Sequence, residues 1–229
     1  QTYMKNKKIL CKITKKYENY SKTIVYQHQK KIIFKLCSCG IWQNQTPFEK
    51  KKINKFFNSN NFFKNKKKFK VEGYSDYFKE EKNRYFTSKY RLNKIKDIIN
   101  INSKTSLLKI GCSTGTFLYH FKKVSKGICG IDFSKKFVNY GNKRYNLKII
   151  NGDFEQYKFN KKFDIIILFS VFENIPDLNI FFKKVKKLIK PSGHLILNYV
   201  PSNNLVEKIQ KENYFMFRPP IYNYFSKKS

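Results

Sequence analysis

A doubly wound α/β fold on a mostly parallel sheet, with a small β-rich segment ahead of it, is the class this sequence predicts. Three observations carry that expectation. From residue 105 onward, short apolar runs alternate with amphipathic stretches, the pattern of a parallel sheet covered by helices on both faces. The stretch 107–121, LLKIGCSTGTFLYHF, leads from an apolar strand through a loop holding Gly111, Ser113 and Gly115. It continues into Phe117, Leu118, Phe121 and Val124 at helical spacing. The 229 residues, 41% of them hydrophobic, suffice for one such core and a small accessory region.

Taken in order, residues 1–48 alternate β-like runs (TIVYQ, KIIFKLCSCGIW) with polar turns. Residues 49–104 are rich in lysine and phenylalanine and read as a helical connector. From 105 to 229 the α/β domain follows, with strands expected at 106–110, 127–132, 147–150, 164–169 and 194–199. The best-formed helix spans 177–190: Leu178, Phe181, Phe182, Val185, Leu188 and Ile189 make one apolar stripe, which Pro191 and Gly193 end.

A net charge of +34 invites a nucleic-acid partner. Two features argue against it. The excess residues (Lys, Asn, Ile, Phe, Tyr) are those of A/T-rich codons, and arginine, the bidentate phosphate reader, occurs only at 84, 91, 144 and 218. No apolar run approaches the roughly 18 residues of a membrane span, and no leader pattern opens the chain, so a cytoplasmic protein without a membrane partner is expected. Five cysteines without such a leader suggest reduced thiols. The chain starts at Gln1 rather than Met, as a piece of a longer protein would.

Ligands of an open parallel sheet bind beyond the carboxyl ends of its strands, so the residues following each strand are the candidates. The Gly111–Gly115 loop offers backbone amides at a helix start, or is a plain tight turn. Asp132, about twenty residues on, can accept both hydroxyls of a ribose, or cap the next helix in competition with Ser134. In NGDFE, Asp153 can accept an exocyclic amine and Phe154 can lie against a purine; the alternatives are a turn and core packing. Phe169 and Ser170 close the fourth strand, near the reactive end of a ligand. A nicotinamide dehydrogenase is disfavoured, because Gly-x-Gly-x-x-Gly needs glycine where Thr116 stands.

In their order, LLKIGCSTGTFL, GIDFS, NGDFE, FDIIILFSVFENIPD and LIKPSGHLIL resemble the class I S-adenosylmethionine-dependent methyltransferases, a Rossmann-like fold. The resemblance implies S-adenosylmethionine as cofactor, with Gly111, Cys112 and Gly115 at its methionine part. Asp132 with Phe133 would stand at the ribose, Asp153 with Phe154 at the adenine, and Phe169 near the methyl group. KLCSCGIWQNQTPFEKKKINKFFNSNNFF and FRPPIYNYFSKKS are similar to segments of methyltransferases that carry an N-terminal zinc-ribbon-like knuckle and occur near sugar-modifying gene products. That similarity implies a small-molecule acceptor, such as a sugar or polysaccharide precursor; an RNA methyltransferase and a decayed, non-catalytic relic are the alternatives.

The chain departs from the family pattern in four places. Zinc takes four ligands, but here Cys11 is followed by Thr14 at the partner position and Cys37-Ser38-Cys39 is one residue short, with His28 the remaining candidate; a metal-free remnant is expected. Lys109 replaces the acid that supports the loop and the cofactor ammonium. Like charges about 4 Å apart cost about 4 kcal/mol at an effective dielectric near 20, less if the long side chain swings out to solvent. The family's Glu-His reads Glu173-Asn174, and the histidine of its Pro-Pro segment reads Tyr222, so no catalytic base is assigned; Glu173 is the carboxylate to test. Finally, too few residues remain before Ser229 for the antiparallel hairpin that normally closes this fold, so either the sequence is a piece of a longer protein or a sheet edge is uncovered.

Overall fold

The computed structural model describes residues 8–11, 13–19, 22–28, 30–45, 55, 58–59, 76–199, 201–202, 209 and 221–226. In chain order the strands and helices are β1 (Ile9–Leu10), β2 (Tyr17–Glu18), β3 (Lys22–His28), β4 (Lys30–Leu36), β5 (Ile41–Asn44), α1 (Glu81–Lys96), β6 (Leu107–Ile110) and α2 (Thr116–Lys122). There follow β7 (Ile128–Asp132), α3 (Lys135–Tyr145), β8 (Ile150–Asn151), β9 (Phe163–Leu168), a short 3-10 turn (Phe172–Asn174), α4 (Leu178–Leu188), β10 (Ile189–Leu197) and β11 (Asn223–Phe225). The chain divides into two compact units: residues 1–48, 170–183 and 198–229 form one, and 49–169 with 184–197 the other.

The larger unit is built on a five-stranded parallel sheet of order β10-β9-β6-β7-β8. It is the doubly wound α/β fold expected, with the order reversing beside β6, the first strand of the sheet in sequence. The central strands read as apolar runs broken only by Lys109 in β6 and Asp164 in β9, as strands buried on both faces do: all four residues of β6 are buried, as are Phe163 and Ile165 to Leu168 of β9. On one face Leu107, Ile165 and Ile167 pack with Cys112, Phe117, Leu118 and Phe121, with Val138, Leu147 and Ile149, and with Leu92 and Ile95 of α1. Each such buried aliphatic or aromatic side chain contributes about 1.5–3 kcal/mol. The helix read as a connector thus supplies core residues to the sheet unit. Among the described residues, β10 is the outermost strand on its side of the sheet, with β9 its one partner.

The smaller unit holds the antiparallel β1–β2 pair and a four-stranded antiparallel sheet of order β11-β5-β4-β3. Its β11 closes against β5, with Gln43 opposite Asn223. Phe172 of the 3-10 turn stacks on Phe225 at 4.5 Å, and the Asn223 amide donates to the Ile175 carbonyl at 2.8 Å.

Two elements differ from the sequence expectation. The strand expected at 147–150 is reduced to Ile150–Asn151, because Leu147 and Ile149 are committed to packing: a Cβ at Gly115 would lie 2.5 and 2.9 Å from their Cδ1 atoms. The helix expected to reach residue 190 stops at Leu188 and passes directly into β10. Pro191 and Gly193 lie inside that strand, where the register slips between Ile189 and His194. There the Lys190 ammonium meets the Asp164 carboxylate at 2.8 Å. No helix of the described residues is long and apolar enough to cross a membrane.

Candidate active site

The turns closing β6, β7 and β8 meet at one end of the sheet. The Cys112 N–H donates to the Ile131 carbonyl at 3.2 Å, which ties the glycine loop to β7. The Asp132 carboxylate is buried between two backbone donors, accepting from Ser113 N–H on Oδ2 at 2.8 Å and from Ser134 N–H on Oδ1 at 2.9 Å. The Asp132 carbonyl accepts from Gly152 N–H at 3.0 Å and from the Asn151 amide at 3.1 Å, drawing in the turn that carries Asp153. Burial raises the Asp132 pKa; the two N–H donors and Lys109 oppose the rise. The N-cap of α3 is Ser134 rather than Asp132; Asp132 braces the turn before that helix and pins the glycine loop.

Around this centre, Phe133 is half-buried, and Asp153 is half-buried with its Oδ1 accepting from Glu155 N–H at 2.9 Å. Phe154 is buried, with Phe159 at 6.0 Å and the Lys184 ammonium 5.1 Å from its ring centroid, so its packing is mainly internal. Gly115 has φ +79°, a left-handed conformation that glycine adopts without cost. Gly141 lets α3 approach the loop closely, since a Cβ there would lie 2.4 Å from the Thr114 carbonyl oxygen. Ser113 also takes positive φ, +53°, which costs a non-glycine residue about 1–2 kcal/mol. Its hydroxyl is hydrogen-bonded to that of Tyr77.

The loop rests on residues that the sequence did not single out for it. Glu81 of α1 accepts from the Tyr145 hydroxyl at 2.7 Å and from the Thr114 hydroxyl at 3.4 Å, and pairs with Arg84 at 3.3 Å. Ser88 shares a hydrogen bond with Thr116 at 3.0 Å. Tyr77 is clamped between Phe137 at 4.4 Å and the Arg84 guanidinium at 3.6 Å, and Phe78 lies 4.7 Å from Tyr140, so both aromatics are packing residues. The aromatics Tyr74, Tyr214 and Phe215, which the sequence offers equally as packing residues or as acceptor contacts, lie outside the described residues. One signal was available: Arg84 and Arg91 are two of only four arginines in the chain, and their spacing of about two helical turns puts them on one face of α1.

Lys109 does not swing out to solvent. It follows Leu107 on the packed face of β6, level with Ile167, and only 4% of it is exposed. Its Nζ lies 4.5 Å from the Phe169 ring centroid and 5.9 Å from that of Phe117. Burial, helped by Arg91, brings its pKa from 10.5 down to about 8, while Cys112 and Asp132 pull the other way.

In the smaller unit, the broken knuckle spacing does not scatter the thiols. The Sγ atoms of Cys11, Cys37 and Cys39 lie within 4.8 Å of one another. The buried Gln43 amide donates to Cys37 at 3.0 Å and to Cys11 at 3.6 Å. The His28 side chain lies outside the described residues. Glu173 is buried in the 3-10 turn, and its carbonyl accepts from Tyr222 N–H at 2.9 Å, which brings together the two segments expected to carry the family's imidazoles.

The reversed strand order and the loop of Gly111 to Gly115 tied to the acid after the second parallel strand define the class I methyltransferase fold, whose cofactor is S-adenosylmethionine. Residues 101–219, more than half of the chain, match a family described as "Methyltransferase domain", and the chain belongs to that family. A demethylmenaquinone methyltransferase of Staphylococcus aureus is 26% identical over 149 residues, covering 61% of this chain; the match likewise spans 61% of that curated relative's length. Among solved structures, DesVI of Streptomyces venezuelae gives a TM-score of 0.49 at 20% identity, covering 56% of this chain and 60% of that one. An S-adenosylmethionine-dependent methyltransferase of Clostridium acetobutylicum gives 0.44 at 22% identity, with 54% and 52% covered.

Proposed function

We propose that this chain transfers the methyl group of S-adenosylmethionine to a small-molecule acceptor, with sugar and polysaccharide precursors as the first candidates. The observation that carries the reading is the convergence of three turns on Asp132, whose carboxylate and carbonyl each bind a neighbouring turn. The residues fit an adenosyl ligand. Each Asp132 oxygen accepts a single backbone N–H and retains a further lone pair for a ribose hydroxyl. Gly111 and Gly115 leave the backbone open to close approach by the amino-acid end. Cys112, Phe133, Asp153, Phe154 and Phe169 complete the donor contacts.

When bound, S-adenosylmethionine supplies a methyl group on a cationic sulfur, open to direct displacement. Such a reaction depends on alignment and exclusion of water more than on a base. That suits a chain with Asn174 and Tyr222 where imidazoles were expected. The name of the Staphylococcus aureus relative gives demethylmenaquinone as its acceptor, which supports the small-molecule class.

Isothermal titration with S-adenosylhomocysteine tests the donor site, and labelled-methyl transfer to a panel of sugar nucleotides tests the acceptor. Saturable heat is expected; none up to millimolar ligand removes the reading. The buried Lys109 favours a second reading, a relic that no longer binds the donor. Binding regained on Lys109→Asp would establish that one instead.

A further inference from the structure

Two cations converge on the ring of Phe169 at the carboxyl end of β9. The Lys109 Nζ is 4.5 Å from its centroid and the Arg91 guanidinium carbon 4.6 Å. Among the described residues, Arg84, Lys94 and Lys190 hold ion pairs, and neither of these two cations does. Asp132 is the one carboxylate that attracts Lys109 appreciably, and each of its oxygens already holds a backbone N–H. A buried ammonium with no counter-ion is expensive, and a second cation beside it raises the cost. The aromatic ring that both approach compensates only in part. Fold stability alone favours an apolar residue at the end of an otherwise apolar face, so the two cations have the character of an anion-binding pair.

We propose that Lys109 and Arg91 form a carboxylate subsite that grips the negative group at the amino-acid end of the methyl donor. The inference rests on the donor-binding reading above. It reverses the sign of the sequence expectation, in which Lys109 repels the donor ammonium: the same amino-acid end carries a carboxylate, and the pair Lys109 and Arg91 selects it. A planar guanidinium and a point-charge ammonium together can engage both oxygens of one carboxylate.

Binding an anion there restores the proton that burial weakens. Lys109 is flanked by Arg91 from α1, Cys112 from the loop and Asp132 from β7. With a folded pKa of about 8 in the free protein, it is largely neutral at pH 8.5, so capture of a carboxylate above that pKa is accompanied by proton uptake.

The test titrates two ligands into the wild type and Lys109→Met: S-adenosylhomocysteine, which carries the amino-acid end, and 5′-methylthioadenosine, which lacks it. At pH 7 the variant is expected to lose about 10- to 100-fold in affinity for S-adenosylhomocysteine, the loss of a charge-assisted contact, while 5′-methylthioadenosine is unaffected. At pH 8.5 the wild-type heat is expected to vary with the buffer's ionisation enthalpy, and that of the variant is not. Arg91→Met should repeat the affinity loss without abolishing the buffer dependence. Unchanged or tighter S-adenosylhomocysteine binding in Lys109→Met, with 5′-methylthioadenosine bound normally, overturns the subsite and leaves the donor site standing. Failure of both ligands to bind the wild type overturns both.

Discussion

Replacing Lys109 by Met removes a charge from the interior of the parallel sheet while keeping an unbranched side chain of similar length. The folded protein holds this ammonium with a pKa of about 8 against 10.5 for the free group. That difference corresponds to about 3 kcal/mol of lost stability at pH 7. Burial is its first cause, and the group is almost wholly enclosed, so solvent screening does little to reduce it. The lost contact with the Phe169 ring offsets about 1 kcal/mol, leaving a net gain of about 2 kcal/mol for Lys109→Met. In a chain of this size that raises Tm by roughly 4–8 °C.

The sign with pH follows directly. Because the folded state binds the proton less tightly than the unfolded one, the penalty is fully present below pH 8, shrinks as pH rises, and is gone above about 10.5. Melting curves followed by circular dichroism at pH 7 and pH 10 should therefore show a wide gap between variant and wild type at the lower pH and a narrow one at the higher. A variant no more stable than the wild type at pH 7, or a gap of the same size at both, would refute the reasoning.

Three further outcomes are expected. Gly115→Ala combines positive φ with contacts at 2.5 and 2.9 Å to Leu147 and Ile149; a loss of about 2–4 kcal/mol in urea unfolding is predicted, from backbone strain plus overpacking. Burial alone would raise the Asp164 pKa, yet Lys190 and Ser106 bring it down to about 2, so its contribution is present above about pH 4 and fades as pH falls toward 2. With the side chains of both partners about a third or more exposed, Lys190→Met should remove only about 1 kcal/mol at pH 7 and flatten the acid limb of the stability profile. Atomic spectroscopy on protein purified without chelator should find less than one zinc per chain, since the Gln43 amide already donates to two of the three clustered sulfurs; one zinc per chain reverses that expectation.

What could be read from the sequence follows from what each segment has to satisfy. The runs at β6, β7 and β9 were plain because strands buried on both faces tolerate almost nothing but apolar side chains. The turns following them were legible because glycine and aspartate meet backbone demands that few other residues meet, as at Gly115 and Asp132. Leu147 and Ile149 misled for the same reason: an apolar run shows burial, and here the burial is against the glycine loop rather than along a strand. The strand β10 was started too late because Pro191 and Gly193 ordinarily end a helix, whereas here they occupy a slipped register that the Lys190–Asp164 pair spans. The supports of the loop from Tyr77, Glu81 and Ser88 left no local trace, since each acts across a long sequence separation through a hydroxyl or carboxylate that reads as surface. Arg91 left only its spacing from Arg84 as a signal, because the ring it faces, Phe169, follows β9 far along the chain.

The pairing of β5 with β11 imposes an order of assembly. Ile41 to Gln43 acquire their neighbour only after Phe225 has left the ribosome, so until then β5 carries an open row of backbone donors and acceptors. Among the described residues the parallel sheet ends at Leu197 and can form while that edge still waits. A ribosome stalled between these two points would display an unsatisfied β-edge, and such nascent chains should be the ones that chaperones hold or that self-associate.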